Sequence, residues 1–232
     1  MSTSDVDKPT IEPRWFGLFA KIEAKFEASN IASEKWYLTT LSAISTTPES
    51  HICGQLYLYL ISQHVYSTTS ARWTLIRRMR EALFKDIALL GLPKPTEALL
   101  GITKVMSEDG ECSFTREGWQ CDDANHARGM NWLKSIYAHN TNFGFWLADI
   151  TYGLLLSDRQ VLDDVDTEMV VLPAVMGQDM PRMIYWHIRG TRRLGISKKD
   201  VQMVMECVHL VVEACGVTLK QVPSVDDVDG DL

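Results

Sequence analysis

The sequence has no CxxC pair, no apolar run long enough to span a bilayer, and no excess of positive charge. Each absence removes a class of function. Cys53, Cys112, Cys121, Cys207 and Cys215 are odd in number and irregularly spaced, which argues against both a disulfide framework and a zinc site of recognised spacing. A formal net charge of -7 argues against an electrostatic grip on nucleic acid or anionic lipid, so neither a nucleic acid nor a membrane is expected as a partner. The first residues, MSTSDVDKPT, lack the basic-then-apolar order of a secretion signal, and a reducing, cytoplasmic setting is the expectation. There is no Gly-rich phosphate loop and no nucleophile elbow. His51, His64, His126, His139 and His209 include no i, i+4 pair of histidines with an acidic neighbour, so no metal and no cofactor is expected.

What is present is ordinary globular material: 232 residues, 46% hydrophobic and 23% charged, enough to bury a core. Helical spacing dominates and no alternating strand stands out, so the fold class is all-α. Residues 13 to 28 place Phe16, Phe19, Ala20, Ile22 and Phe26 on one stripe. Residues 50 to 67 are apolar enough for a single buried helix. From 71 to 90, Ile76, Met79, Leu83, Ile87 and Leu90 keep helical spacing until Gly91 and Pro93 stop it. Residues 106 to 124 show no period and read as a loop or insertion. Helical spacing resumes over 125 to 157 with Trp132, Tyr137, Phe143, Phe145, Trp146 and Tyr152, rings suited chiefly to a core.

The last third is the most legible. DDVDTE leads into MVVLPAVM, where Pro173 is expected to bend or break a helix. Asp179 is the expected cap of the next helix, with Pro181 in its first turn and an end near Gly195. Ser197 and Asp200 form the capping box of a final helix that Gly216 ends. Residues 221 to 232 read as a solvated acidic tail. A faint two-fold repeat also runs through the chain, with halves at about 50–105 and 140–216. Glu81 precedes GLPKP much as Glu168 precedes GQDMP.

Within MPRMIYWH, residues 180 to 187, Met180, Met183, Ile184 and His187 share one helical face. Two antiparallel helices would bring Glu168 to His187. A carboxylate beside an imidazole fixes its tautomer and leaves the other nitrogen free to move a proton.

The segment TEMVVLPAVMGQDMPRMIYWHIRGTRRLGISKKDV resembles the helical core of the AhpD-like/carboxymuconolactone decarboxylase superfamily. The peroxidase branch of that family reads E-x11-C-x2-C-x3-H. Here Glu168 and His187 stand at that spacing, and Met180 and Met183 occupy the two cysteine positions. Trp186, His187, Arg189, Gly190, Arg192, Arg193 and Gly195 also match a WH-x-RG-x-RR-x-G signature of longer fungal members. The likeness is good over 166 to 216 and moderate over 80 to 95. It implies an AhpD-like helical fold, pockets between helices, a homo-oligomer, and Glu81 as the counterpart of Glu168.

Methionines in the thiol positions decide the expected chemistry. Disulfide-forming peroxidase catalysis needs an ionisable thiol and a second thiol to resolve it. The decarboxylase branch works without that pair, so the resemblance points to a cofactor-independent decarboxylase, isomerase or cyclase acting on a small organic or polyketide-like metabolite. In that reading His187 is the acid or base and Glu168 orients it. Trp186, Met180 and Met183 line the substrate, and Arg182, Arg189 or an arginine of the Arg77–Arg80 cluster meets its anionic end. Two alternatives stand beside it: a noncatalytic ligand-binding or scaffold relative, and a residual peroxidase using Cys207 or a cysteine of the 106–124 segment.

Overall fold

The computed structural model describes residues 10–106, 116, 122–136 and 145–231. Among them the regular elements are all helical. In chain order these are α1 (Pro13–Glu27), α2 (Trp36–Ser45), α3 (Cys53–Ile61), α4 (Thr69–Leu90), α5 (Pro93–Val105), α6 (Asp123–Ile136), a π-helix (Phe145–Leu156), α7 (Asp164–Met176), α8 (Pro181–Arg193) and α9 (Lys198–Ala214). Short 3-10 turns join some of them, and one closes the described chain at Val225–Asp231.

The centre of the molecule is α2, which packs against α4, α7 and α9. Every residue from Trp36 to Ser45 is buried, so this helix has no polar face and leaves no amphipathic stripe in the sequence. Its hydroxyls turn inward: those of Thr40 and Ser45 donate to carbonyls four residues back, at 3.0 and 2.8 Å. α7 is buried from Asp166 to Met176 and lies alongside α2 and α4. Its start is held by a reciprocal cap between Asp163 and Asp166. Lys35 reaches both carboxylates, and Arg78 of α4 donates to Asp166 at 2.8 Å.

Several expectations change on contact with the fold. Trp15, not Phe16, fills the α1 stripe, and Phe16 is half exposed. The expected single helix over 50–67 is three pieces: 3-10 turns at 50–52 and 64–66 flank α3. At the end of α3 the Ser62 hydroxyl donates to the Tyr59 carbonyl and competes with helix continuation. Pro173 does not break α7. Its missing N–H forgoes one hydrogen bond, to the Met169 carbonyl four residues back, and the burial of the helix from Asp166 to Met176 holds it in place. Asp179 is not the cap of α8. The cap position is Met180 and makes no side-chain bond, while Asp179 adopts a left-handed backbone with φ 54°. Its carboxylate instead accepts from the amides of Lys220 and Gln221.

The acidic C-terminal residues are not a free tail either. Val225 and Val228 are buried in the main core, while Asp226 and Asp227 point outward. Valines three positions apart, one 3-10 turn, supply an apolar side that the acidic composition hid. Most of the expected 106–124 insertion, with Cys112 and Cys121, lies outside the described residues, as do Tyr137, Phe143 and the side chains of Phe145 and Trp146. Trp132 and Tyr152, which are described, are core residues as expected.

Candidate active site

α7 and α8 form an antiparallel pair because the turn at Gly177–Met180 reverses the chain and Pro181, with no N–H to place, starts the second helix. α8 buries Ile184, His187, Ile188, Gly190 and Thr191. This puts the imidazole of His187 against Glu168 of α7, with Nδ1 3.3 Å from Oε2. Both side chains are almost sealed, at 3% and 2% exposure. With Nδ1 carrying the proton toward the carboxylate, Nε2 is left with its lone pair, the tautomer a proton shuttle needs.

A third group was not foreseen. The Thr191 hydroxyl lies 3.3 Å from Glu168 Oε2 and 2.7 Å from the carbonyl of His187, one helical turn before it. It ties the acid, the imidazole and the α8 backbone together. Its signal was present in the sequence, four positions after His187 on the same face.

The remaining expected site residues divide by helical geometry. Met183 is half-buried, packs on the core and lies on the His187 face. Met180 precedes α8 and is 46% exposed. Arg182, Trp186 and Arg189 recur every three to four residues along the opposite face, so α8 directs them away from His187. Arg182 is exposed, and Trp186 and Arg189 are half-buried. No anion clamp for the imidazole is formed by those arginines.

Glu81, the expected counterpart of Glu168, has a different company. Arg116 donates to its Oε1 from Nε at 2.9 Å and from Nη2 at 2.5 Å, and Lys85 Nζ lies 4.0 Å from the same oxygen. Lys85 also donates to the carbonyls of Leu156, at 2.5 Å, and Asp158, at 2.9 Å. Arg116 meets the carbonyls of Leu154 and Leu155. The two basic side chains therefore cap the end of the π-helix, and Glu81 and Asp158, the latter 3.9 Å from Arg116, bring opposite charge to them. Burial pushes the Lys85 ammonium down to about 7, against the pull of Glu81. This is an anchor.

Two of the described thiols are poor nucleophiles. Burial pushes the Cys207 thiol up to about 12, and its sulfur packs 3.6 Å from that of Met203. Cys53 is wholly buried and is likewise pushed up by burial. Neither supplies a thiolate near neutral pH. Among the described residues no group of three or more His, Cys, Asp or Glu side chains could hold a metal. No described helix is long and apolar enough to cross a membrane.

The chain is similar to two yeast proteins. Peroxisomal protein 2 of Schizosaccharomyces pombe is 23% identical over 155 residues, covering 62% of this chain and 72% of its own. Peroxisomal protein 2 of Saccharomyces cerevisiae is 23% identical over 197 residues, covering 69% of this chain and 70% of its own. No protein family's sequence profile matches the chain, and no solved structure does.

Proposed function

We propose that this protein is a cofactor-independent acid/base enzyme of carboxymuconolactone decarboxylase type, acting on a small carbon acid. The observation that carries the reading is the buried contact between His187 and Glu168. Where little water reaches a pair, a carboxylate bonded to one ring nitrogen stabilises the imidazolium and leaves the other nitrogen to take or give a proton. Decarboxylation, isomerisation and cyclisation all need that transfer at carbon or at an enolate oxygen. The methionines at 180 and 183 favour this over peroxide reduction, and so do the upshifted thiols of Cys53 and Cys207. An AhpD-like arrangement repeated in the halves at about 50–105 and 140–216, and a homo-oligomeric state, belong to the same proposal.

The test is a panel of β-keto acids and carboxylated lactones incubated in D2O, with deuterium uptake and carbon dioxide loss followed by NMR. His187→Ala and Glu168→Gln should each lower the rate on a turned-over compound by about 100-fold or more, in protein that keeps the helical dichroism of the parent. Retained turnover in both variants would discard the assignment.

A second reading, a noncatalytic ligand-binding or scaffold relative, is favoured by the near-complete burial of the same pair. It expects the two substitutions to lower the melting temperature strongly with no activity to lose. For location we propose the peroxisome over the cytoplasm, because both yeast relatives carry that organelle in their names. An N-terminally tagged chain imaged against a peroxisomal marker checks it, and a diffuse signal refutes it.

A further inference from the structure

His187 and Glu168 face each other across the α7–α8 contact at 3% and 2% exposure, so the pair is closed to solvent in this arrangement. The C-terminal segment is tied to the chain on either side of α8. Just before α8 begins, the Asp179 carboxylate accepts from the amide of Lys220 at 3.0 Å and from that of Gln221 at 2.8 Å. After α8, Lys198 at the start of α9 pairs with Asp226. Between these two ties the chain passes from irregular structure at 222–224 into the 3-10 turns at Val225–Asp231. Residues 220–226 are thus tied to the turn before α8 and to the start of α9, and α8 is a main neighbour of the terminal 3-10 turns. Val225 and Val228, buried in the core, press the segment in place.

The backbone at Asp179 supports a role beyond covering surface. It is the non-glycine residue of the described chain held at positive φ, a conformation that costs about a kcal/mol or more. Its carboxylate is committed to the 217–231 segment rather than to the helix beside it. The turn that joins the Glu168 helix to the His187 helix is thereby tied directly to the strap.

We propose that residues 217–231 are a latch on α8, and that release at Asp179 lets α8 tip away from α7 and opens the Glu168–His187 pair. The purpose of the latch rests on the acid/base reading above. Its operation does not, because imidazole accessibility is measured without turnover.

The test compares the parent with Asp179→Gly, since glycine accepts the left-handed turn and removes only the carboxylate. Carbethoxylation of each histidine by diethyl pyrocarbonate is followed by peptide mass spectrometry, with exposed His51 as the internal reference. The expected result is a rate at His187 about tenfold higher in Asp179→Gly relative to His51, with the helical dichroism of the parent. An unchanged His187 rate in the folded variant overturns the latch. Should Asp179→Gly not fold, amide hydrogen exchange of the unaltered protein decides. The amides of 217–231 and of α8 should then exchange together and ahead of those of α7 and α9. If α8 outlasts α7, or the strap outlasts α8, the latch is overturned. A latch that opens in a protein whose His187→Ala variant keeps full turnover would leave this proposal standing and remove the acid/base one.

Discussion

At the scale of single residues, Asp86 shows how a buried acid is kept neutral. Its carboxyl is fully buried, with Oδ1 2.9 Å from the Ser42 hydroxyl, and Oδ2 has no hydrogen-bond partner. The Ser42 hydroxyl also lies 2.7 Å from the Val170 carbonyl, which can only accept. One hydroxyl proton cannot serve two acceptors, so a protonated Asp86 that donates to Ser42 satisfies the chain of bonds. Burial drives the Asp86 pKa well above the usual carboxylate range, in the same sense. A carboxyl with a raised folded pKa holds a proton that the unfolded chain loses above about pH 4. Its stability contribution is complete at low pH and falls as pH rises toward the folded value. Asp86→Asn, which mimics the protonated acid, should melt about 2–4 °C higher than the parent at pH 8, with the gap closing toward pH 4. A thermal-shift series across that range reads the outcome.

Among elements, the α6–π-helix hairpin depends on two glycines. A methyl group added to Gly129 would overlap the Ala148 carbonyl, and one on Gly153 would meet the same oxygen and the side chain of Asn125. The backbones approach closely enough for buried Asn125 to donate to the Asp149 carbonyl at 2.9 Å. That contact gives a rigid backbone atom no room to yield, so Gly129→Ala should lower the melting temperature by about 5 °C or more. A melting curve like that of the parent would show that the hairpin tolerates separation. Composition forecast helices in this region, but not this proximity, because a glycine at an interface looks the same in sequence as one in a loop.

For the whole molecule, the anchor around Lys85 joins α4, Arg116 and the end of the π-helix, and it sets a pH trend opposite to that of Asp86. A lysine with a lowered folded pKa sheds its proton above about pH 7 in the native state, whereas the unfolded chain keeps it to about 10.4. In that window the unfolded state binds more protons, so this group's contribution to stability rises with pH. Lys85→Met leaves the Leu156 and Asp158 carbonyls without their donor and should cost about 2–4 kcal/mol at pH 7. It should also flatten the rise between pH 7 and 10, as read by denaturant titration at several pH values. A variant with the slope of the parent would place the titration elsewhere.

The all-helical class, the ends of α4 and α9 at glycines, the Ser197 cap and the Glu168–His187 pairing were all determined by sequence. Periodicity, caps and fixed spacing are local properties, and an eighteen-residue separation across a Pro-started turn allows few geometries. Other features were decided only by the tertiary structure. α2 carries no stripe because it is surrounded; Pro173 is tolerated because its neighbours hold the helix; Arg182 and Arg189 lie opposite the imidazole because α8 turns its other face to α7. Asp179 caps nothing near it and grips residues some forty positions away. The acidic C-terminus docks because two valines find a core that no local pattern describes. Each of these depends on which surfaces meet, and that is settled by packing the entire chain at once.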